Sequence, residues 1–120
     1  MQYQGMTDDL RRAATLMAEK RYVEAIYAYR TICESQPAHA AIAASQVGAA
    51  YFFIKQYARA IEWYRYSGQL GCDPRMVTDN ITEAEQALAV YSPMVGDVML
   101  ADTGELYQYG ADGGWYPRPR

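Results

Sequence analysis

Residues 40–70 read AAIAASQVGAAYFFIKQYARAIEWYRYSGQL and decide the fold of this chain. Apolar residues recur on both sides of Lys55-Gln56 at the three- and four-residue spacing of helices. We therefore predict two helices that fold against each other across a tight turn at these two residues. Gly48 lies in the middle of the first helix, where glycine costs about 1 kcal/mol relative to Ala. We expect another helix to cross at Gly48 so closely that no Cβ atom fits.

The same pattern of Tyr and Ala occurs about 35 residues upstream, which is within the period of helix-turn-helix repeats. The matched pairs are Tyr22 and Tyr57, Ala25 and Ala60, and Tyr29 and Tyr64. A first helix capped by Thr7 or Asp8, and a closing helix with Asp73 as its cap and Pro74 as its first residue, complete the predicted helical part. Gly71 is the predicted cap at the end of the fourth helix.

After Pro93 the composition changes to short β-prone runs separated by turn residues. We predict strands at residues 98–100 and 105–109 and a third strand that begins at Trp115, with Pro117 and Pro119 ending any ladder. A lone hairpin is marginal in water. The tail therefore either packs on the helices, another subunit or a partner, or stays disordered until it binds. The tail residues expected to make these contacts are Leu106, Tyr107, Tyr109, Trp115 and Tyr116.

The predicted fold class is all-α, with about five helices and a short C-terminal tail that is either hairpin-like or disordered. The predicted segments are a flexible N-terminus (1–6), a helical domain (7–92) made of units 7–37 and 39–72 with a closing helix 74–91, and a β-prone tail (93–120).

The helical part resembles the tetratricopeptide repeat. That family places a small residue in the middle of its first helix, a large residue three positions later, an aromatic residue at the turn, and Ala and an aromatic residue in the second helix. The matching residues are Gly48, Tyr51, Tyr57, Ala60 and Tyr64 in the second unit, and Ala13, Leu16, Tyr22, Ala25 and Tyr29 in the first. The Trp or Leu usually found early in each first helix is missing, and the resemblance ends before Ser92.

The resemblance implies a right-handed stack of helical hairpins whose concave groove binds peptides or helices. It places in that groove Leu10, Arg11, Ala14, Met17, Ala18, Ile42, Ser45, Gln46, Ala49, Phe52 and Phe53, with Asp79 and Glu83 as candidates from the closing helix. The groove is mostly apolar, which favours a hydrophobic or amphipathic segment. One subtype of the family binds the C-terminal carboxylate of its ligand through Lys and Asn residues in the groove. In this chain Leu10, Ala14 and Gln46 occupy those positions, so we expect it not to bind a carboxylate in that way.

Two interpretations of the groove aromatics stay open. Phe52 and Phe53 either anchor a ligand, or one of them packs against the closing helix. An apolar groove of this kind is seldom left uncovered. The cover is a partner, a second copy of the chain, or the chain's own tail.

Composition excludes several other functions. The chain is 51% apolar with a formal charge of −3, which gives no basic excess for nucleic acid. No run approaches the roughly 18 apolar residues of a membrane span. The first residues lack the layout of a signal peptide, so we expect a cytoplasmic protein with Cys33 and Cys72 reduced. The sequence places no partner residue near His39 that could complete a metal site or a catalytic group. We therefore expect no metal, no cofactor and no enzymatic activity.

These observations favour a protein-interaction module, an adaptor or chaperone that holds an apolar or amphipathic segment. The alternative is a structural building block that self-assembles through its tail. A narrower version of the first hypothesis is a bacterial secretion chaperone of the same repeat class.

Overall fold

In the computed structural model, which describes residues 7–118, five helices are followed by a three-stranded antiparallel sheet. The predicted number of helices is confirmed. The helices are α1 (Asp8–Ala18), α2 (Tyr22–Ser35), α3 (Ala40–Phe53), α4 (Tyr57–Gln69) and α5 (Pro74–Ala89), and the strands are β1 (Val98–Leu100), β2 (Leu106–Tyr109) and β3 (Trp115–Arg118). A short 3₁₀ turn, Pro37–His39, precedes α3. The predicted flexible N-terminus, residues 1–6, and the last two residues of the tail lie outside the described residues.

The helix ends follow the capping residues that the sequence predicts. The Thr7 hydroxyl accepts a hydrogen bond from the N–H of Leu10 at 3.1 Å, which satisfies a free donor at the start of α1. Asp73 does the same for Arg75 at 3.0 Å, with Pro74 as the first helical residue of α5. Gly71 follows α4 with a φ of 114°, a conformation that favours glycine.

The α1–α2 turn and the α3–α4 turn share one geometry. Lys20 and Lys55 both adopt left-handed backbone conformations, with φ of 63° and 68°. The residues that follow them, Arg21 and Gln56, have φ of −92° in both cases and ψ of 68° and 69°. Each of these two residues donates its N–H to a carbonyl of the preceding helix at 2.9 Å. The two turns therefore direct α2 and α4 away from their preceding helices in the same way.

The core lies around α3, which packs against both α2 and α4. Its small residues let the neighbouring helices approach closely. A Cβ atom at Gly48 would lie 2.7 Å from Cδ1 of Tyr64 and 3.2 Å from the carbonyl oxygen of Ala60. The predicted close crossing at Gly48 is thus confirmed, and the helix that crosses there is α4.

The sheet has the strand order β1-β2-β3. Leu100 pairs with Leu106, and residues paired in this way share one face of the sheet. Leu100 is only 3% exposed and joins the helical core, with Leu106 packed beside it. The prediction that Pro117 ends the ladder is wrong, because Pro117 pairs with Tyr107 inside β3. β3 is an edge strand, where a residue without an N–H is tolerated.

None of the helices within residues 7–118 is both long enough and apolar enough to cross a membrane.

The replacement Gly48→Ala tests the crossing of α3 and α4. The added methyl group would collide with the buried ring of Tyr64, so we expect the free energy of unfolding to fall by about 2 kcal/mol. Urea unfolding followed by circular dichroism measures the change. Gly68→Ala in α4 is the matched control, because its Cβ would lie 3.4 Å from the nearest atom of Val77. This control should be neutral or stabilising by up to about 1 kcal/mol. Equal stability of the two variants would contradict the close crossing.

Candidate peptide-binding face

The residues predicted to line a groove lie on α1 and α3 at spacings that place them along one side of each helix. We call them the α1–α3 face. Arg11, Ala14, Ala18, Ile42 and Phe53 are exposed, Met17, Gln46, Ala49 and Phe52 are half-buried, and Leu10 and Ser45 are buried. Ile42 and Phe53 have exposed fractions of 54% and 55%, which are high for large apolar side chains. These two side chains therefore provide most of the exposed apolar surface of the α1–α3 face.

Arg11 was the one cation predicted on this face. Its guanidinium donates to Asp8 at 2.6 Å, one turn earlier on α1. This pair is exposed, and pairs of this kind contribute less than about 1 kcal/mol to stability. Arg11 is thus engaged with a neighbour on its own helix, and the face presents mainly apolar and small side chains.

A row of five aromatic rings supports one end of the face. Tyr22, Phe53, Phe52, Tyr57 and Tyr91 contact one another in that order, with ring centroids 5.1, 6.0, 5.1 and 5.6 Å apart. Tyr22 stacks on Phe53, whereas the other contacts are edge-on, and both arrangements are favourable for aromatic pairs. Phe53 is held by this row yet stays exposed, while Phe52 lies within it. The row reaches the end of the closing helix through Tyr57 and Tyr91.

The sheet docks on the α3–α4 turn through the side-chain amide of Gln56. Its Nε2 donates to the carbonyl of Leu100 at 3.1 Å, and its Oε1 accepts from the N–H of Leu100 at 2.7 Å. The backbone bonds between β1 and β2 involve the residues on either side of Leu100, such as Ala101 with Glu105. Gln56 therefore satisfies both backbone groups of Leu100, which point to the open edge of β1.

Other polar contacts fix the sheet to the turns and to the second helix of each pair. Tyr27 in α2 donates to the carbonyl of Gly104 at 3.4 Å. Arg59 in α4 forms an ion pair with Asp102 in the β1–β2 loop. These residues lie on α2 and α4, whereas the predicted groove residues lie on α1 and α3. Ile42 and Phe53 accordingly keep their exposure with the sheet in place.

Asp97 links the start of the sheet to both the α3–α4 turn and the segment after α5. It accepts from Lys55 Nζ at 3.1 Å, from the Tyr91 hydroxyl at 3.2 Å and from the N–H of Met94 at 2.9 Å. Burial opposes ionisation of this carboxyl, but the Met94 N–H and the Lys55 ammonium hold its pKa below the usual value. Burial and the Asp97 charge raise the pKa of Tyr91 to about 12.

The predicted tail residues differ in what they contact. Leu106 packs against the core, and Trp115 meets Tyr109 with ring centroids 5.0 Å apart. Trp115 also lines a cavity of about 220 Å³ together with Tyr57, Leu88 and Tyr91. The hydroxyls of Tyr107 and Tyr116 bind the carboxylates of Glu105 and Asp112 within the sheet region.

Sequence reasoning missed the residues that dock the sheet, namely Lys55, Gln56, Arg59 and Asp97. Lys55 and Gln56 were recognised only as the interruption between two helices. A polar pair in a turn has no periodicity that would reveal a partner 44 positions away. The β-prone run Val98-Met99-Leu100 predicted a strand, but it did not predict which side chain would cover its edge.

The replacement Asp97→Asn tests the docking electrostatics. Asn keeps an acceptor for Met94 but loses the charge that Lys55 stabilises, so we expect a loss of about 1–2 kcal/mol in unfolding free energy at pH 7. The folded-state pKa of Asp97 is lowered, so its contribution is present above the ordinary carboxyl pKa of about 4 and is lost as the pH falls through the folded value. The difference between the native chain and the variant should therefore vanish in acid.

Urea unfolding at a series of pH values measures this difference. Asp79→Asn on the exposed side of α5 is the control and should leave stability at pH 7 unchanged. A stability difference for Asp97→Asn that persists undiminished into acid would contradict the charge-based role.

Comparison with known proteins finds no matching family model, no similar curated protein and no similar solved structure.

Proposed function

We propose that this chain is a protein-interaction module of the tetratricopeptide type, in which the α1–α3 face binds an apolar or amphipathic segment of another protein. In this proposal α1–α2 and α3–α4 are two helical-hairpin repeats and α5 closes the stack. The module acts as an adaptor or chaperone, and a secretion chaperone is the narrower version of the same function.

The internal equivalence of the two hairpins supports the repeat. Lys20 and Lys55 have matching backbone conformations, and the following hydrogen bonds are the same length. The matched residues of α2 and α4 are also buried alike. The buried pairs are Ala25 and Ala60, Ile26 and Ile61, and Tyr29 and Tyr64. A recurring turn with a recurring core pattern is the physical basis of a repeat architecture.

The exposure of Ile42 and Phe53 carries the functional part of the proposal. Burying apolar surface contributes about 25 cal/mol per Å², so two large side chains more than half exposed on one face are a source of binding energy. Ala14 and Ala18 on α1 and Ala49 on α3 are at least partly exposed and carry no long side chains that would block a ligand. A helix with apolar residues at three- and four-residue spacing matches such a surface.

The alternative, a self-assembling building block, rests on a different surface. Val90, Met94 and Val95 in the connection between α5 and β1 are exposed, with values of 82% for Val90 and 68% for Val95. This connection is a candidate contact between copies. Leu100 packs into the core of its own chain, so the sheet does not need a second copy to bury its apolar residue. This packing favours the adaptor.

A peptide-display experiment tests the proposed function. A random 12-residue library is selected on the full chain, and the affinity of the enriched peptides is measured by calorimetry. We expect peptides with apolar residues at helical spacing. Ile42→Glu should weaken their binding at least about tenfold, because it places a charge where the bound peptide would bury an apolar side chain.

Leu70→Glu at the end of α4 is the matched control, since Leu70 is also an exposed apolar residue but lies outside the α1–α3 face. It should leave the affinity unchanged. Peptides that bind Ile42→Glu and the native chain equally well would overturn the proposal, as would a library that yields no binder.

A further inference from the structure

A second cleft, separate from the α1–α3 face, lies between the α1–α2 turn and the sheet. We call it the first-turn cleft. Its volume is about 710 Å³. Its apolar walls come from Tyr22 and Val23 of α2, from Ile54 after α3, and from Leu106 of β2. The space is large enough for several side chains of an extended peptide.

The charged residues of the first-turn cleft are mostly cations. Lys20 and Arg118 line it, and neither forms an ion pair within residues 7–118. Arg21 and Glu24 also line it, but they pair with each other at 2.6 Å, and Glu19 lies 3.2 Å from the Arg21 guanidinium. Two cations therefore stand uncompensated beside apolar walls, an arrangement that favours a ligand with one carboxylate and adjacent aliphatic groups.

The second turn of the same molecule already binds a segment of this chemistry. There Lys55, the equivalent of Lys20, holds the carboxylate of Asp97 at 3.1 Å. Three residues later Leu100 enters the core beside that turn. The second turn thus binds an extended segment in which an acidic residue is followed, three positions later, by an aliphatic residue.

We propose that the first-turn cleft binds an extended segment of a partner protein in which an acidic residue precedes an aliphatic residue by three positions. Lys20 and Arg118 bind the carboxylate, and Tyr22, Ile54 and Leu106 bury the aliphatic side chain. The position of Gln56 is taken by Arg21 in the first turn, which has no acceptor for a backbone N–H. Binding there depends on charge and apolar burial rather than on a paired strand edge.

The probe is a hexapeptide with the sequence of residues 96–101, acetylated and amidated at its ends, added to the ¹⁵N-labelled full chain. We expect saturable shifts of the backbone amides of Lys20, Tyr22, Ile54 and Leu106 in ¹H–¹⁵N spectra. Lys20→Gln and Arg118→Gln should each weaken binding about fivefold, the effect of losing one partly exposed ion pair. A peptide with Asn in place of its Asp loses both ion pairs and should bind about 25-fold more weakly to the native chain.

Arg65→Gln on the exposed side of α4 is the matched control and should bind the probe like the native chain. Circular dichroism confirms that each variant is folded. The absence of saturable shifts would overturn the proposal. Shifts at Gln56 and Leu100 would also overturn it, because the peptide would then be displacing the chain's own β1. Shifts centred on Ile42 and Ala49 would place the ligand on the α1–α3 face and would overturn the cleft but not the proposed function.

Discussion

The paired hydrogen bonds between Gln56 and Leu100 determine where the sheet lies. A short three-stranded sheet has little stability by itself. Its β1 edge presents an N–H and a carbonyl that lose their water when Leu100 enters the core, and each would cost about 1–3 kcal/mol if left without a partner. One glutamine supplies both a donor and an acceptor at the same point. The sheet therefore buries Leu100 where Gln56 covers that edge, which is at the α3–α4 turn.

The location of the sheet explains how the tail packs on its own chain while the α1–α3 face stays exposed. The tail could have packed on the apolar α1–α3 face, since both surfaces carry aromatic residues. Instead, Tyr27, Lys55 and Arg59 hold it at the turns and beside the second helices. Ile42 and Phe53 consequently remain exposed on α3. The aromatic row from Tyr22 to Tyr91 connects the two regions, so the packing of the turns also positions Phe53.

Much of the helical part could be predicted because its signals are local. Thr7 and Asp73 are capping residues whose function depends only on the next turn of helix. Gly48 predicted a close crossing because glycine inside a helix needs a compensating contact. The left-handed conformations of Lys20 and Lys55 were not predicted, since lysine has no preference for them and the two-residue turns impose them. Pro117 was misjudged because its tolerance depends on β3 being an edge strand, a property of the sheet rather than of the residue.

The candidate face was predicted from the resemblance to the tetratricopeptide repeat, which identifies one side of each helix but not how deeply each residue lies. Leu10 and Ser45 share that side with Ile42 yet are buried by neighbouring helices. Docking residues such as Gln56 and Asp97 act between segments far apart in the chain, so no local pattern marks them. The same limit applies to the first-turn cleft, whose walls come from three separate parts of the sequence.

The central claim is that the sheet docks on the α3–α4 turn of its own chain and leaves the α1–α3 face open. Nuclear Overhauser contacts in the full chain test it most directly. The account predicts contacts between the side-chain amide protons of Gln56 and the backbone protons of Leu100, and between the ring of Tyr91 and the side chain of Asp97. Contacts between the Trp115 or Tyr109 ring and the methyl groups of Ile42 would contradict it, because the tail would then cover the face proposed to bind a partner.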